Sequence, residues 1–155
     1  MNELQELYQQ VILDHNKNPR NFGTISCATN WAEGHNPLCG DHIDITAVIE
    51  DNHIKELKFS GSGCAISKAS ASIMTTLVVG KTVEDAKQLF DVFHGIVTAD
   101  IHDRIDTLEI GKMAVFAGVR EFPARVKCAS LAWHTMIKAL DNQGKTESIN
   151  FSNLN

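Results

Sequence analysis

Basic side chains are in short supply. Lys and Arg number 14 against 19 Asp and Glu, and the net charge is -5 over 155 residues. A protein that works on nucleic acid neutralises phosphates with clustered Lys and Arg, so this balance argues against nucleic acid as the main partner. No apolar run approaches the roughly 20 residues that span a bilayer, so no membrane partner is expected. The N-terminus does not run from basic to apolar, so no secretory signal is expected and the reading is cytoplasmic. The sequence also lacks internal repeats, a second domain and a paired Cys-x-x-Cys motif. It has only 4 cysteines, and thiols that stay reduced in the cytoplasm point to metal binding or reactivity rather than disulfides.

What is present suits one domain with a real core: hydrophobic residues make up 43% and charged residues 21%. The domain is expected over residues 1–142. Beyond it, residues 143–155 turn polar and asparagine-rich and read as a mobile tail.

The apolar spacing sets out the elements. Leu4, Leu7, Tyr8, Val11 and Ile12 recur at helical spacing, predicting a helix from 3 to about 15 that Asn18-Pro19 stops. Asp14 and His15 read as its solvated end. Residues 24–38 read as a loop with a short extended segment, and Cys27 within it as a small buried hydrophobe. Ile43, Ile45, Ala47 and Ile49 alternate with Asp44, Thr46 and Val48, which predicts a half-buried strand over 42–50. Asp51-Asn52 supplies a turn, and a second strand follows over 54–60, although Ile54 falls out of phase with Leu57 and Phe59. Helices are expected over 65–79, before the terminator Gly80, and over 83–93, capped by Thr82. His94, His102 and the loop from Asp100 to Asp106 read as an exposed connection. A shorter helix over 107–117 should end before Gly118. Pro123 suits a first helical position, opening a last helix over 124–140.

Three cysteines and one aspartate have settings that suit a metal. Cys39 and Asp41 flank Gly40; in extended chain, positions i and i+2 point the same way, and the glycine permits a sharp turn. The predicted hairpin returns its far end to its start, so Cys64 should come back beside Cys39 and Asp41. Cys64 precedes one helix and Cys128 lies near the start of another, where the positive end of the dipole favours thiolate. Three thiolates and a carboxylate match tetrahedral zinc, and sulfur donors equally suit iron–sulfur chemistry. The set carries excess negative charge, which Arg125 and Lys127 beside Cys128 could offset. Arg125 could also hydrogen-bond a thiolate or Asp41 from outside the ligand set. The bland alternative is that the cysteines are core residues and Asp41 a turn residue.

Four passages together carry a family resemblance. They are Asp14-His15 with Asn18-Pro19-Arg20-Asn21, Asn36-Pro37-Leu38-Cys39-Gly40-Asp41, Gly61-Ser62-Gly63-Cys64-Ala65-Ile66-Ser67 running on through Ala69-Ser70-Ala71-Ser72, and Pro123-Ala124-Arg125-Val126-Lys127-Cys128 with Leu131-Ala132-Trp133-His134. Over nearly its whole length the chain resembles the SufU proteins, relatives of the IscU iron–sulfur scaffolds and of the NifU N-terminal domain. The resemblance implies an α+β fold, a small antiparallel sheet of about three strands covered by helices. It implies zinc on Cys39, Asp41, Cys64 and Cys128. It also implies that Cys39 accepts sulfur from a pyridoxal-phosphate cysteine desulfurase of SufS type, with Suf cluster-assembly proteins downstream. Two departures separate the chain from an IscU-type scaffold. Lys127 stands where a histidine usually precedes the last cysteine, and Phe122-Pro123-Ala124 replaces consecutive prolines. Both favour zinc-dependent sulfur acceptance over a scaffold that holds a transient [2Fe–2S] cluster. A zinc-stabilised interaction module without chemistry is the third reading.

Overall fold

In the computed structural model, residues 3–98, 111–142 and 146–150 are described. The sheet is built on one hairpin. β2 (Asp41–Glu50) and β3 (His53–Ser62) pair antiparallel through a two-residue turn. Asp51 and Asn52 both take positive φ, 52° and 63°, the left-handed pair that matches strand twist in a tight hairpin and that Asp and Asn tolerate. A register shift between Val48 and Ile49 sets Val48 opposite Glu56 and Ile49 opposite Ile54. Lys55 is the extra residue of this bulge. The shift explains the out-of-phase Ile54: it and Leu57 and Phe59 are all buried.

The segment expected to be mostly loop contains a full strand, β1 (Asn30–Asn36), antiparallel to β2. Its sequence, Asn-Trp-Ala-Glu-Gly-His-Asn, hides the alternation because Asn30, Gly34 and Asn36 occupy buried positions with Ala32. Asn30 is satisfied there by donating from Nδ2 to the Ala139 carbonyl at 2.9 Å. The three antiparallel strands are those expected. A fourth, β4 (Thr146–Asn150), pairs parallel with β1 and gives the order β3-β2-β1-β4. It lies in the stretch read as a mobile tail; the open β1 edge offers it hydrogen-bond partners that its polar sequence does not advertise. The rest of that stretch, 143–145 and 151–155, lies outside the described residues.

Helices cover one face of the sheet. α1 (Glu3–Lys17) packs on α2 (Ala65–Val78), and α2 packs on the long α4 (Pro123–Asp141), which lies on β1 and β2. Small buried residues permit the close approach: Ser67, Ala69, Ser70, Ala71 and Ser72 on α2, and Ala129 and Ala132 on α4. α3 (Val83–Thr98) runs on through His94, past the expected end at 93, because Ile96 and Val97 continue its buried stripe. Its start is capped as expected, the Asp85 N–H donating to Thr82 Oγ1 at 3.1 Å. Phe93 stacks on Trp133 with centroids 4.6 Å apart and meets Phe116 edge-on at 5.8 Å. Phe116 belongs to a 3₁₀ helix, Gly111–Glu121, which continues through Gly118. The earlier part of the expected helix, 107–110, and the Asp100–Asp106 loop with His102 lie outside the described residues. No helix among the described residues is long and apolar enough to cross a membrane.

His15 is buried rather than solvated. Its Nδ1 lies 2.7 Å from Ser72 Oγ, which also accepts the Arg20 N–H at 2.8 Å. The neighbouring Asp14 stays exposed and pairs with Arg20 at 2.7 Å. The polar hydroxyls of α2 therefore anchor the chain after α1, where residue type alone suggested a surface.

Candidate metal centre

The hairpin closes the site as its topology requires. His42 pairs with Ser62 at the open end, and two residues later the Cys64 N–H donates to Asp41 Oδ1 at 2.9 Å. This approach depends on Gly63, where a Cβ would lie 2.6 Å from Asp41 Oδ1. Gly40, at φ +71°, turns the chain between Cys39 and Asp41. Cys64 is the N-cap of α2, and its sulfur accepts the Ser67 N–H at 3.4 Å.

The third passage arrives on α4. Cys128 Sγ lies 3.0 Å from Cys39 Sγ, and all four cysteines are free thiols. One ligand atom each from Cys39, Asp41 and Cys128 lies within 4.8 Å of the other two. Asn36 was passed over in the sequence except as the start of a motif. It is fully buried and directs Nδ2 to Cys128 Sγ at 3.8 Å. Its signal would have been a buried amide one strand position from the site, visible only once β1 is known.

The thiols differ in exposure: Cys39 is exposed, Cys64 half-buried and Cys128 buried. They differ in acidity too. Cys64 is drawn down to about 7, first by the hydrogen bond it accepts from Cys128 and then by the Ser67 and Ile66 N–H groups, against burial and the Asp41 charge. Cys128 is pushed far up by donating that bond, by burial, and by its contact with Cys39. Cys128 is the sixth residue of its helix, beyond the first turn in which the dipole acts, so the helix-start argument holds for Cys64 and not for Cys128.

Asp41 is 2% exposed, and its Oδ2 has no hydrogen-bond partner. An unsatisfied buried carboxylate oxygen among thiols is costly on its own and fits a cation. The donors present, sulfur with one carboxylate, suit zinc.

Two expectations are not met. Cys27 is exposed rather than a buried hydrophobe, and it joins no ligand group among the described residues. Arg125 is exposed with its guanidinium 4.6 Å over the Phe122 ring. Neither it nor Lys127 hydrogen-bonds a thiol or Asp41. A guanidinium finds a weakly hydrated, polarisable partner in an aromatic face, and Phe122 at the start of α4 supplies one.

Comparisons with known proteins identify the family. The family described as NifU-like N terminal domain matches residues 7–129. The zinc-dependent sulfurtransferase SufU of Bacillus subtilis strain 168 is 39% identical over 137 residues, 88% of this chain and 91% of that protein. The iron–sulfur cluster assembly scaffold protein IscU of Streptococcus pyogenes serotype M1 is 34% identical over 99% of this chain and 95% of its own length. A solved structure from Fervidobacterium islandicum AW-1, described as a cluster assembly scaffold for the SUF system, superposes with a TM-score of 0.79 at 32% identity, covering 88% of this chain and 98% of that one. With its motif passages, its hairpin-closed thiol site and these relatives in agreement, the chain belongs to the NifU-like N-terminal domain family.

Proposed function

We propose that this protein is a sulfur acceptor in iron–sulfur cluster assembly, holding zinc on Cys39, Asp41, Cys64 and Cys128 and taking sulfur on Cys39 from a cytoplasmic, pyridoxal-phosphate-dependent cysteine desulfurase of SufS type. The observation that carries the reading is the gathering of two free thiols, Cys39 and Cys128, with a buried carboxylate whose Oδ2 has no hydrogen-bond partner; the Cys64 thiol lies outside that group but bonds Cys128, and its N–H donates to the same carboxylate. Zinc bound there would keep the thiols deprotonated at neutral pH.

The chain's own residues divide the work. Cys128, buried on α4, and Cys64, held at the α2 N-cap, anchor the site from rigid elements. Cys39 sits on the exposed turn between β1 and β2, next to Leu38, which is 70% exposed, so Cys39 is the thiol a partner can reach. Its thiolate attacks the terminal sulfur of the desulfurase persulfide. The new S–S bond forms on Cys39, the bond within the partner's persulfide breaks, and the partner's cysteine leaves as thiolate. The persulfide on Cys39 then passes its sulfur to Suf cluster-assembly proteins.

The test is desulfurase turnover with and without this protein and its Cys39→Ala variant. Stimulation by wild type and none by the variant is expected; equal stimulation by both overturns the role of Cys39. A second reading, assembly of a [2Fe–2S] cluster on the same four residues, is favoured by the scaffold name of the relative that spans nearly the whole chain. Iron and sulfide retained after anaerobic purification would select it, whereas zinc without either selects sulfur acceptance.

A further inference from the structure

A second set of metal-type donors lies on the outer face of the sheet. The β1–β2 register sets Glu33 opposite Asp44 and His35 opposite His42. The i, i+2 spacing on each strand turns all four side chains to the half-exposed face, away from the helices. The His35 and His42 rings meet edge-to-face, centroids 4.2 Å apart. His42 Nε2 lies 3.0 Å from Asp44 Oδ1 and 3.8 Å from Glu33 Oε2. One ligand atom each from Glu33, His35 and His42 lies within 4.8 Å of the other two.

These donors are distinct from the thiol site. Strand alternation puts Asn36 and Asp41 on the buried face and their neighbours His35 and His42 on the outer one. His35 makes no hydrogen bond to a described residue, so a nitrogen lone pair remains for an external ligand. Asp44 Oδ1 lies on the same His42 Nε2 that faces Glu33, so an ion held between Glu33 and that nitrogen would displace the Asp44 contact and leave this second carboxylate at its edge. Two imidazoles and one carboxylate form a borderline donor set. It suits divalent first-row ions and leaves coordination positions open, and it contains no sulfur to favour soft ions.

We propose that Glu33, His35 and His42 form a second cation site, which takes a divalent first-row transition ion through two imidazole nitrogens and a carboxylate oxygen. The ion cross-links β1 to β2 directly behind Asn36 and Asp41. The site stands whether or not the thiols accept sulfur.

The test uses the zinc-loaded full chain titrated with Ni²⁺ by calorimetry, with released zinc measured in parallel. One nickel ion per chain, bound without zinc release, is expected. Glu33→Gln, His35→Ala and His42→Ala should each weaken it by at least the roughly 10–100-fold that even an outer partner of a metal commands. All three residues are half-exposed, and unchanged zinc content in the variants shows that they remain folded. Equal nickel binding by wild type and the His35→Ala/His42→Ala double variant overturns the proposal, as does wild-type binding no tighter than about millimolar, the range of adventitious surface contacts. Zinc loss in cysteine variants bears on the thiol reading alone, so the two can fail separately.

Discussion

Replacing Gly63 by alanine challenges the thiol site with one methyl group. The added Cβ would lie 2.6 Å from Asp41 Oδ1, 3.1 Å from its Cγ and 3.2 Å from its Cβ. Ordinary contact begins near 3.4 Å, so the carboxylate must withdraw by about 0.8 Å. Metal–ligand distances tolerate only about 0.2 Å. Asp41 therefore cannot keep both the hydrogen bond from the Cys64 N–H and its place among the thiols. That bond is to a charged acceptor and is worth about 1.5–3 kcal/mol. Zinc affinity is expected to fall at least about tenfold, or roughly 1.4 kcal/mol. The fold should survive, because Gly63 is exposed and is not among the positive-φ glycines. Gly61→Ala is the contrast: at φ +121° its Cβ would run into the His42 carbonyl of the paired strand, so structure should be lost along with metal. Competition against a chromophoric chelator reads the affinity, and circular dichroism reads the fold. If Gly63→Ala keeps a wild-type fold and holds zinc within about twofold of wild type, then Asp41 is not a ligand and the reasoning fails.

Asp41→Cys is expected to hold zinc more tightly, since thiolate is the softer donor, and to accept sulfur from the desulfurase more slowly; tighter zinc with equal or faster transfer would defeat the exchangeable-carboxylate idea. Arg125→Ala is expected to change zinc affinity by less than about threefold, because the cation is exposed on the Phe122 ring and screened by salt; a tenfold loss that 1 M salt abolishes would restore a charge-offset role. Stability should depend on pH through His134, whose pKa falls from 6.5 to about 4, by burial first and then by the nearby His94. The unfolded chain then binds the extra proton between those values, so stability is full above about pH 6.5 and is lost as pH falls toward 4. After allowance for partial exposure the loss is about 1–2 kcal/mol, and His134→Gln should flatten urea midpoints over that range.

Legibility followed the physics of each segment. The β2–β3 hairpin was readable because Ile43, Ile45 and Ala47 alternate cleanly and Asp51-Asn52 tolerate positive φ. From it came the return of Cys64 to Asp41, since antiparallel pairing leaves little choice about where the far end goes. β1 was hidden because its buried face is made of Asn30, Gly34 and Asn36 with only Ala32 among them, and buried amides carry no hydrophobic signal. β4 was hidden for a related reason: an edge strand can be held by backbone bonds alone. His15 was misread because its partner, Ser72, is 57 residues away. The donors on the outer face were invisible for the same cause, as Glu33 and His35 meet His42 only through a register that no local pattern states.

The remote turn therefore governs the chemistry. Side chains alternate with period two, so a one-residue slip of β3 along β2 would carry Ile54, Leu57 and Phe59 from the buried face to the outer one. The same slip would move Cys64 a residue along the hairpin, and its N–H would lose Oδ1. Two devices far from the thiols oppose the slip: the left-handed Asp51-Asn52 turn and the bulge at Lys55, which keeps Ile54, Leu57 and Phe59 all buried. Unburying that trio would cost about 1.5–3 kcal/mol for each side chain, more than a single misplaced hydrogen bond at the site. The core thus determines where Asp41 and Cys64 stand, with Asp41 Oδ2 left without a hydrogen-bond partner beside the thiols.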